Sequence, residues 1–268
     1  MFNIYKIVSL FFCFILIFVS SYGQDINNKQ GVDYCHIWFS GHHDAFLEGE
    51  VHIIASNTIC FDGNLSTNSA EKLVQAIKSL DPDKSVTLIV RSIGGDAVAS
   101  LSVGSLLASR NSTVFVDTLC ASSCANYIFL MAKKRIIGPS AIVGFHGGLS
   151  PRLIDRGITA MKSFLKTNES DTRVQEETQR LTYAYNSQVR ILKGLGIRDG
   201  FIEWYDIIPS HEYDKYCPER KEMIVFSPYN LMQWGIEVER NDGPKNAADL
   251  IAATTKLHAP ELACFWGS

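Results

Sequence analysis

From Ser66 to Phe145 helix, strand and turn alternate: apolar runs end in turns of small residues, with helical patterning between them. Ser85 to Val90 reads SVTLIV, ends in Ser92-Ile93-Gly94-Gly95, and leads into a helix from Ala97 to Ser109. Val114-Phe115-Val116 follows, then the turn Leu119 to Ser123 and an apolar helix from Ala125 to Ala132. Short strands from Arg135 to Ile137 and from Ala141 to Phe145 flank Gly138-Pro139. A strand without polar alternation is buried on both faces, and strands joined through helices run parallel. The expectation is an α/β protein: a parallel sheet with flanking helices.

Around this centre the assignments are less regular. Tyr34 to Phe39 (YCHIWF) reads as a strand, His42 and His43 as an exposed loop, and Glu48 to Ser56 and Asn57 to Phe61 as strands. Ser66 opens a helix whose apolar positions Leu73, Ala76, Ile77 and Leu80 share one face. Leu149 to Thr167 reads as a lid or insertion, and Asp171 to Leu195 as one long helix. Ser227 caps a short helix through Trp234, and Asn241 to Ser268 reads as a tail draped over the body. The expected division is 1–23, 24–56 as N-terminal extension strands, 57–240 as the main domain and 241–268 as the tail.

The first segment has a basic start at Lys6, an apolar core from Ile7 to Val19, and small residues at Ser21 and Gly23. That pattern predicts a signal peptide cut before Gln24, with a single N-terminal membrane anchor as the alternative. The expectation is an exported protein, periplasmic or secreted. Without Cys13, six cysteines remain, an even number that suggests disulfides in an oxidising compartment. Six cysteines allow 15 pairings, and spacing does not choose among them. Their spacing does not fit a zinc site, and nothing in the chain calls for a cofactor. A net charge of −3, with Lys and Arg spread along 268 residues, argues against a nucleic-acid partner.

Three strand-end features point to chemistry. Gly94-Gly95 ends one strand, Cys120-Ala121-Ser122-Ser123-Cys124-Ala125 ends the next, and His146 follows AIVGF with Gly147-Gly148 behind it. Singly, each suits an ordinary turn, cap or structural histidine. Their order, each at a strand end, is what suggests a nucleophilic serine with a histidine base. Ser123 is the expected nucleophile and His146 the base, with Asp171 as its orienting acid. The N–H groups of Cys124 and Gly95 are the expected oxyanion donors.

This arrangement resembles the Clp protease proteolytic subunit, within the Clp/crotonase superfamily. The glycine-pair turn corresponds to Ser92-Ile93-Gly94-Gly95, the family's serine turn to Ala121 through Asn126, and its histidine strand to Gly144 through Gly148. The closing Tyr-Gly-Leu pattern corresponds to Trp234-Gly235-Ile236. The likeness spans roughly Asn57 to Glu237. It implies a repeated β-β-α spiral with parallel sheets, Ser123, His146 and Asp171 as the triad, a peptide or protein substrate, and a homo-oligomer of three or more copies. Departures are Ile93 in place of the family's proline, the absence of Gln-Pro after His146, and Glu169 or Glu176 as alternatives to Asp171. Export removes the chain from ATP, so an ATP-driven unfoldase partner is not expected.

Cys120 and Cys124 flank the serine turn. If that segment is helical, their Cα atoms lie about 6 Å apart, within disulfide range, and a bond between them is expected. Competing functions are a catalytically silent scaffold of the same fold, a Ser/Lys hydrolase using Lys162 or Lys166, and crotonase-like acyl-CoA chemistry. The sequons at Asn64, Asn111 and Asn168 matter only in a eukaryotic secretory pathway.

Overall fold

The computed structural model describes residues 29–41, 48–208, 210–218 and 221–267. The expected signal peptide and the His42-His43 pair lie outside the described residues. No helix among them is long and apolar enough to cross a membrane.

The centre is a seven-stranded sheet. Its path is β1 (Glu50–Ala55), β2 (Thr58–Leu65), β3 (Val86–Gly95), β4 (Ser112–Ala121), β5 (Lys134–Ile137) and β8 (Arg240–Asn241), with β6 (Ile142–Gly144) pairing on β4 beyond β5. Only β1 and β2 run antiparallel. The protein is thus α/β with a mostly parallel sheet, as the uninterrupted apolar runs demand.

Alternation along the strands sorts the core onto two faces. Phe61, Leu88, Val90, Val114 and Val116 face one way, into the main core with α2 (Thr67–Ser79) and α3 (Ala97–Ser109). Cys60, Ile89 and Phe115 face the other way, onto Cys35 and Phe39. Those two residues belong to a helix, α1 (residues 29–41), and not to the expected strand. Val32, Cys35 and Phe39 fall at helical spacing, so burying them on the sheet overrides the β preference of the aromatic run. A Cys35–Cys60 disulfide fixes the helix there.

The remaining elements lie beyond the histidine strand. The expected lid is a helix, α4 (Pro151–Leu165), capped by Ser150 and packed on α5 (Thr172–Gly194). Two short helices, α6 (Trp204–Ile207) and α7 (Ser210–Tyr216), lead to β7 (Met223–Phe226) and α8 (Pro228–Gln233), which Ser227 caps. The expected tail carries α9 (Ala247–Lys256) and β9 (Ala263–Trp266). β9 pairs in parallel with β7, and a Cys217–Cys264 disulfide staples this unit. The C-terminal segment is a structural layer because its apolar residues, Leu250, Ala253 and Ala263, are buried against Met223 and Ile142. Three disulfides fit a protein exported to an oxidising compartment.

Candidate active site

The site is set by strand register. β4 and β6 pair as Leu119↔Ile142, Cys120↔Val143 and Ala121↔Gly144. One residue on, the Ser122 N–H donates to Gly144 O at 2.9 Å. The chain then turns sharply, with Ser122 at φ 57° in the left-handed region, where a side chain is strained. This turn presents the hydroxyl to the neighbouring strand end. Ser122 Oγ lies 2.6 Å from His146 Nε2, and both residues are half-buried.

The pairing therefore involves Ser122 and not Ser123. Ser123 is 3% exposed, and its Oγ accepts from Gly95 N–H at 2.7 Å while donating to Gly95 O at 2.9 Å. Its hydroxyl ties the serine turn to the glycine turn, and Gly95 N–H, expected as an oxyanion donor, is taken by that bond. Ser123 was the serine expected to meet His146; which of the two adjacent serines does so depends on the β4–β6 register. A sequence holds no direct record of that register.

Gly94 is required at this turn. At φ 91° it sits in the left-handed region, and a Cβ there would lie 2.6 Å from Ala121 O and 2.8 Å from both Ser122 Cβ and Ser123 N. The glycine turn thus packs on the serine turn without a side chain between them.

Behind Ser122 the chain enters a helical run whose middle, Cys124–Phe129, is π-helical. The first N–H groups of a helix have no partner inside it, so those of Ser123 and Cys124 are free donors by position. The Cys120–Cys124 disulfide spans the turn with a Cα–Cα distance of 5.2 Å, and both cysteines are fully buried.

Asn126, which the sequence did not single out, bridges the two strand ends. Its backbone N–H donates to Ser122 O at 2.9 Å and its Nδ2 to Gly147 O. The loop after His146 is held further by Leu149, whose N–H donates to Tyr127 Oη and whose carbonyl accepts from Gln188 Nε2, each at 2.9 Å. Burial, first among the causes, pushes the Tyr127 phenol well up, so it serves as a neutral hydrogen-bonding group.

Asp171 stands apart. It caps α5, accepting from Arg173 N–H at 3.0 Å and from the Arg173 guanidinium at 2.7 Å. The Arg173 hydrogen bonds hold its carboxyl far below the usual carboxylate range. Among the described residues no carboxylate bonds His146. Glu169 pairs with Lys162 at 2.5 Å, and Glu176 lies exposed on α5, lining a groove with Val98 and Leu101 of α3. Lys166 ends α4 in the left-handed region at φ 51°. The described residues contain no group of three or more metal-ligating side chains. A polar cavity of about 670 Å³ lies at the opposite ends of the strands, beside Ser85, Thr87 and Thr113.

The chain matches no protein-family model and no curated protein. The functional reading rests on the fold and on this geometry.

Proposed function

We propose that the protein is a serine hydrolase, with peptides or related acyl compounds as its substrate class. The observation that carries this is the 2.6 Å contact between Ser122 Oγ and His146 Nε2 on a strained, half-buried serine. Ser122 attacks the carbonyl while His146 takes its proton and later returns it to the leaving group. The oxyanion faces the first-turn N–H groups of Ser123 and Cys124, where the positive end of the peptide dipoles favours negative charge. The Gly-Gly, serine and histidine strand ends in this order, on a mostly parallel sheet, favour a Clp/crotonase-like spiral, and the three disulfides favour an exported enzyme, which would work without ATP. Ser122 takes the nucleophile's place in that likeness.

The test is covalent labelling by a fluorophosphonate probe on the full chain. Wild-type protein labels at Ser122, Ser122→Ala does not, and Ser123→Ala still does. A wild-type protein that never labels, under conditions where it is folded and oxidised, overturns the reading. A second reading, a scaffold of the same fold without chemistry, is favoured by one observation: among the described residues His146 has no carboxylate partner. That outcome shows as intact folding with no labelling by any probe.

A further inference from the structure

The glycine pair behind His146 is dictated by what packs on it. Gly147 is at φ 88°, and a Cβ there would lie 2.9 Å from Tyr205 Cβ. A Cβ on Gly148 would lie 2.6 Å from Ile202 Cγ2. The first contact puts Tyr205 Cβ within about 8 Å of His146 Cα, one residue along the chain.

Bonds on either side of Tyr205 fix it there. Gly148 N–H donates to Ile202 O at 3.1 Å, Ser150 Oγ donates to the Asp206 carboxylate, and the Arg152 guanidinium donates to Asp206 O at 3.3 Å. The ring is oriented by edge-on contacts with Trp204 and Tyr213, each with centroids 5.6 Å apart. Trp204 and Tyr213 are buried, whereas Tyr205 is 44% exposed. A ring fixed in place yet open to solvent has already lost its rotamer freedom, so a flat partner can stack on it at little further ordering cost.

The chemistry says which part of a substrate this ring meets. His146 takes the Ser122 proton and returns it to the leaving group, so the leaving group lies on the histidine side of the scissile carbonyl. Tyr205 stands on that side, against the residue that follows His146. The carboxylates beside it are engaged elsewhere, Asp206 with Ser150 and Glu203 with Tyr185, which leaves an aromatic surface to do the selecting.

We infer that Tyr205 is a specificity-determining residue that stacks on an aromatic leaving group, in a peptide the side chain of the residue after the scissile bond. The inference rests on the hydrolase reading. In acylation the bond from Ser122 Oγ to the carbonyl carbon forms, the C–N bond breaks, and His146 passes the proton to the departing amine. That amine carries its ring away from Tyr205. Water then hydrolyses the acyl-enzyme with no leaving group present.

Two measurements test this. Folded, oxidised protein is offered two peptides that are identical up to the scissile bond and carry Phe or Ala after it. A kcat/KM preference of about three- to tenfold for Phe is expected, the size of one aromatic contact. Tyr205→Phe keeps the preference and Tyr205→Leu loses it, while the single-turnover deacylation rate of both stays within about twofold of wild type. A fall in acylation and deacylation together marks a displaced His146, which serves both steps, and overturns the inference. Equal turnover of the two peptides by a protein that labels at Ser122 also overturns it and leaves the hydrolase reading standing. In the second measurement, isotope-labelled Ser122→Ala protein is titrated with phenylalaninamide and, separately, with alaninamide, reading the 147–150 amides by NMR. A saturable shift with phenylalaninamide alone, removed by Tyr205→Leu, is expected. That shift in a protein whose wild type neither cuts peptides nor labels sinks the hydrolase reading and leaves Tyr205 as a ring-binding residue. No selective shift in such a protein sinks both.

Discussion

Gly94 and Ser122 meet so closely that a methyl group on the glycine would stand 2.8 Å from the serine Cβ. Gly94 is also at φ 91°, where L-residues are strained. Both effects act in one direction for Gly94→Ala. Strain and overpacking together should destabilise by about 2 kcal/mol or more, and thermal unfolding should fall by about 2–4 °C per kcal/mol. Fluorophosphonate labelling should fall with it, since the displaced group is the serine turn itself. An alanine variant with unchanged melting and labelling contradicts the packing described for this turn.

Ser122 carries its own strain at φ 57°. Glycine relieves that strain and alanine does not. Ser122→Gly should therefore unfold at a higher temperature than Ser122→Ala, by a stability difference of about 1 kcal/mol, although both lose the hydroxyl. Calorimetry on the two variants measures it. Equal melting temperatures speak against a strained serine turn.

Ser123 has a different part. Its two bonds to Gly95 join the serine and glycine turns, so Ser123→Ala should lose about 1 kcal/mol of stability and keep the Ser122–His146 contact. Denaturant unfolding reads the first effect, and the rate of probe labelling reads the second. Complete loss of labelling in a folded Ser123→Ala protein would restore Ser123 as the nucleophile.

Asp171 tests the triad. Its carboxyl is held below its ordinary value by Arg173, so its folded-state pKa is depressed. A depressed group stabilises above the unfolded-state pKa, and that stability is lost as pH falls through the folded-state value. The effect belongs below the usual carboxylate range, far from neutral. Asp171→Asn should flatten the acid limb of the stability profile and change Ser122 labelling at neutral pH by less than about twofold, the size of a surface-pair effect. A loss of labelling as deep as that of His146→Ala makes Asp171 a partner of the histidine after all.

The disulfides should differ in what they hold. Cys217–Cys264 closes 47 residues and Cys120–Cys124 closes 4. Chain entropy predicts about 4 kcal/mol for the first and about 2 kcal/mol for the second. Cys217→Ala with Cys264→Ala should therefore lower stability more than the pair Cys120→Ala and Cys124→Ala. The second pair should act chiefly on labelling, because it spans the serine turn. Denaturation midpoints of the two double variants rank them.

Much of the centre was legible in the sequence. The apolar runs at Val86–Val90 and Val114–Val116 could only be buried strands, and Ser66 and Ser227 cap helices where capping residues were read. What failed depended on partners distant in sequence. The Tyr34–Phe39 run carries both a strand's composition and a helix's spacing, and only its burial against Cys60 and Ile89 decides between them. The C-terminal segment looks polar and loose until β9 finds β7. At the site, glycine, serine and histidine were all found, and one residue of register separated the expected serine from the one that meets His146. The reading of Asp171 located the helix start but not the side chain's partner, which is two residues along on its own helix.

The histidine's position depends on a chain of contacts that ends far from it. Phe145, beside His146, exchanges two backbone hydrogen bonds with Ile224 of β7, at 2.8 and 2.7 Å. β7 in turn is paired with β9 and stapled through Cys264. During synthesis Ser122 and His146 leave the ribosome well before β9 exists, and β9 is locked only once thiols are oxidised. The Ser122–His146 contact therefore leans on β7 and β9, the strands made last along the chain.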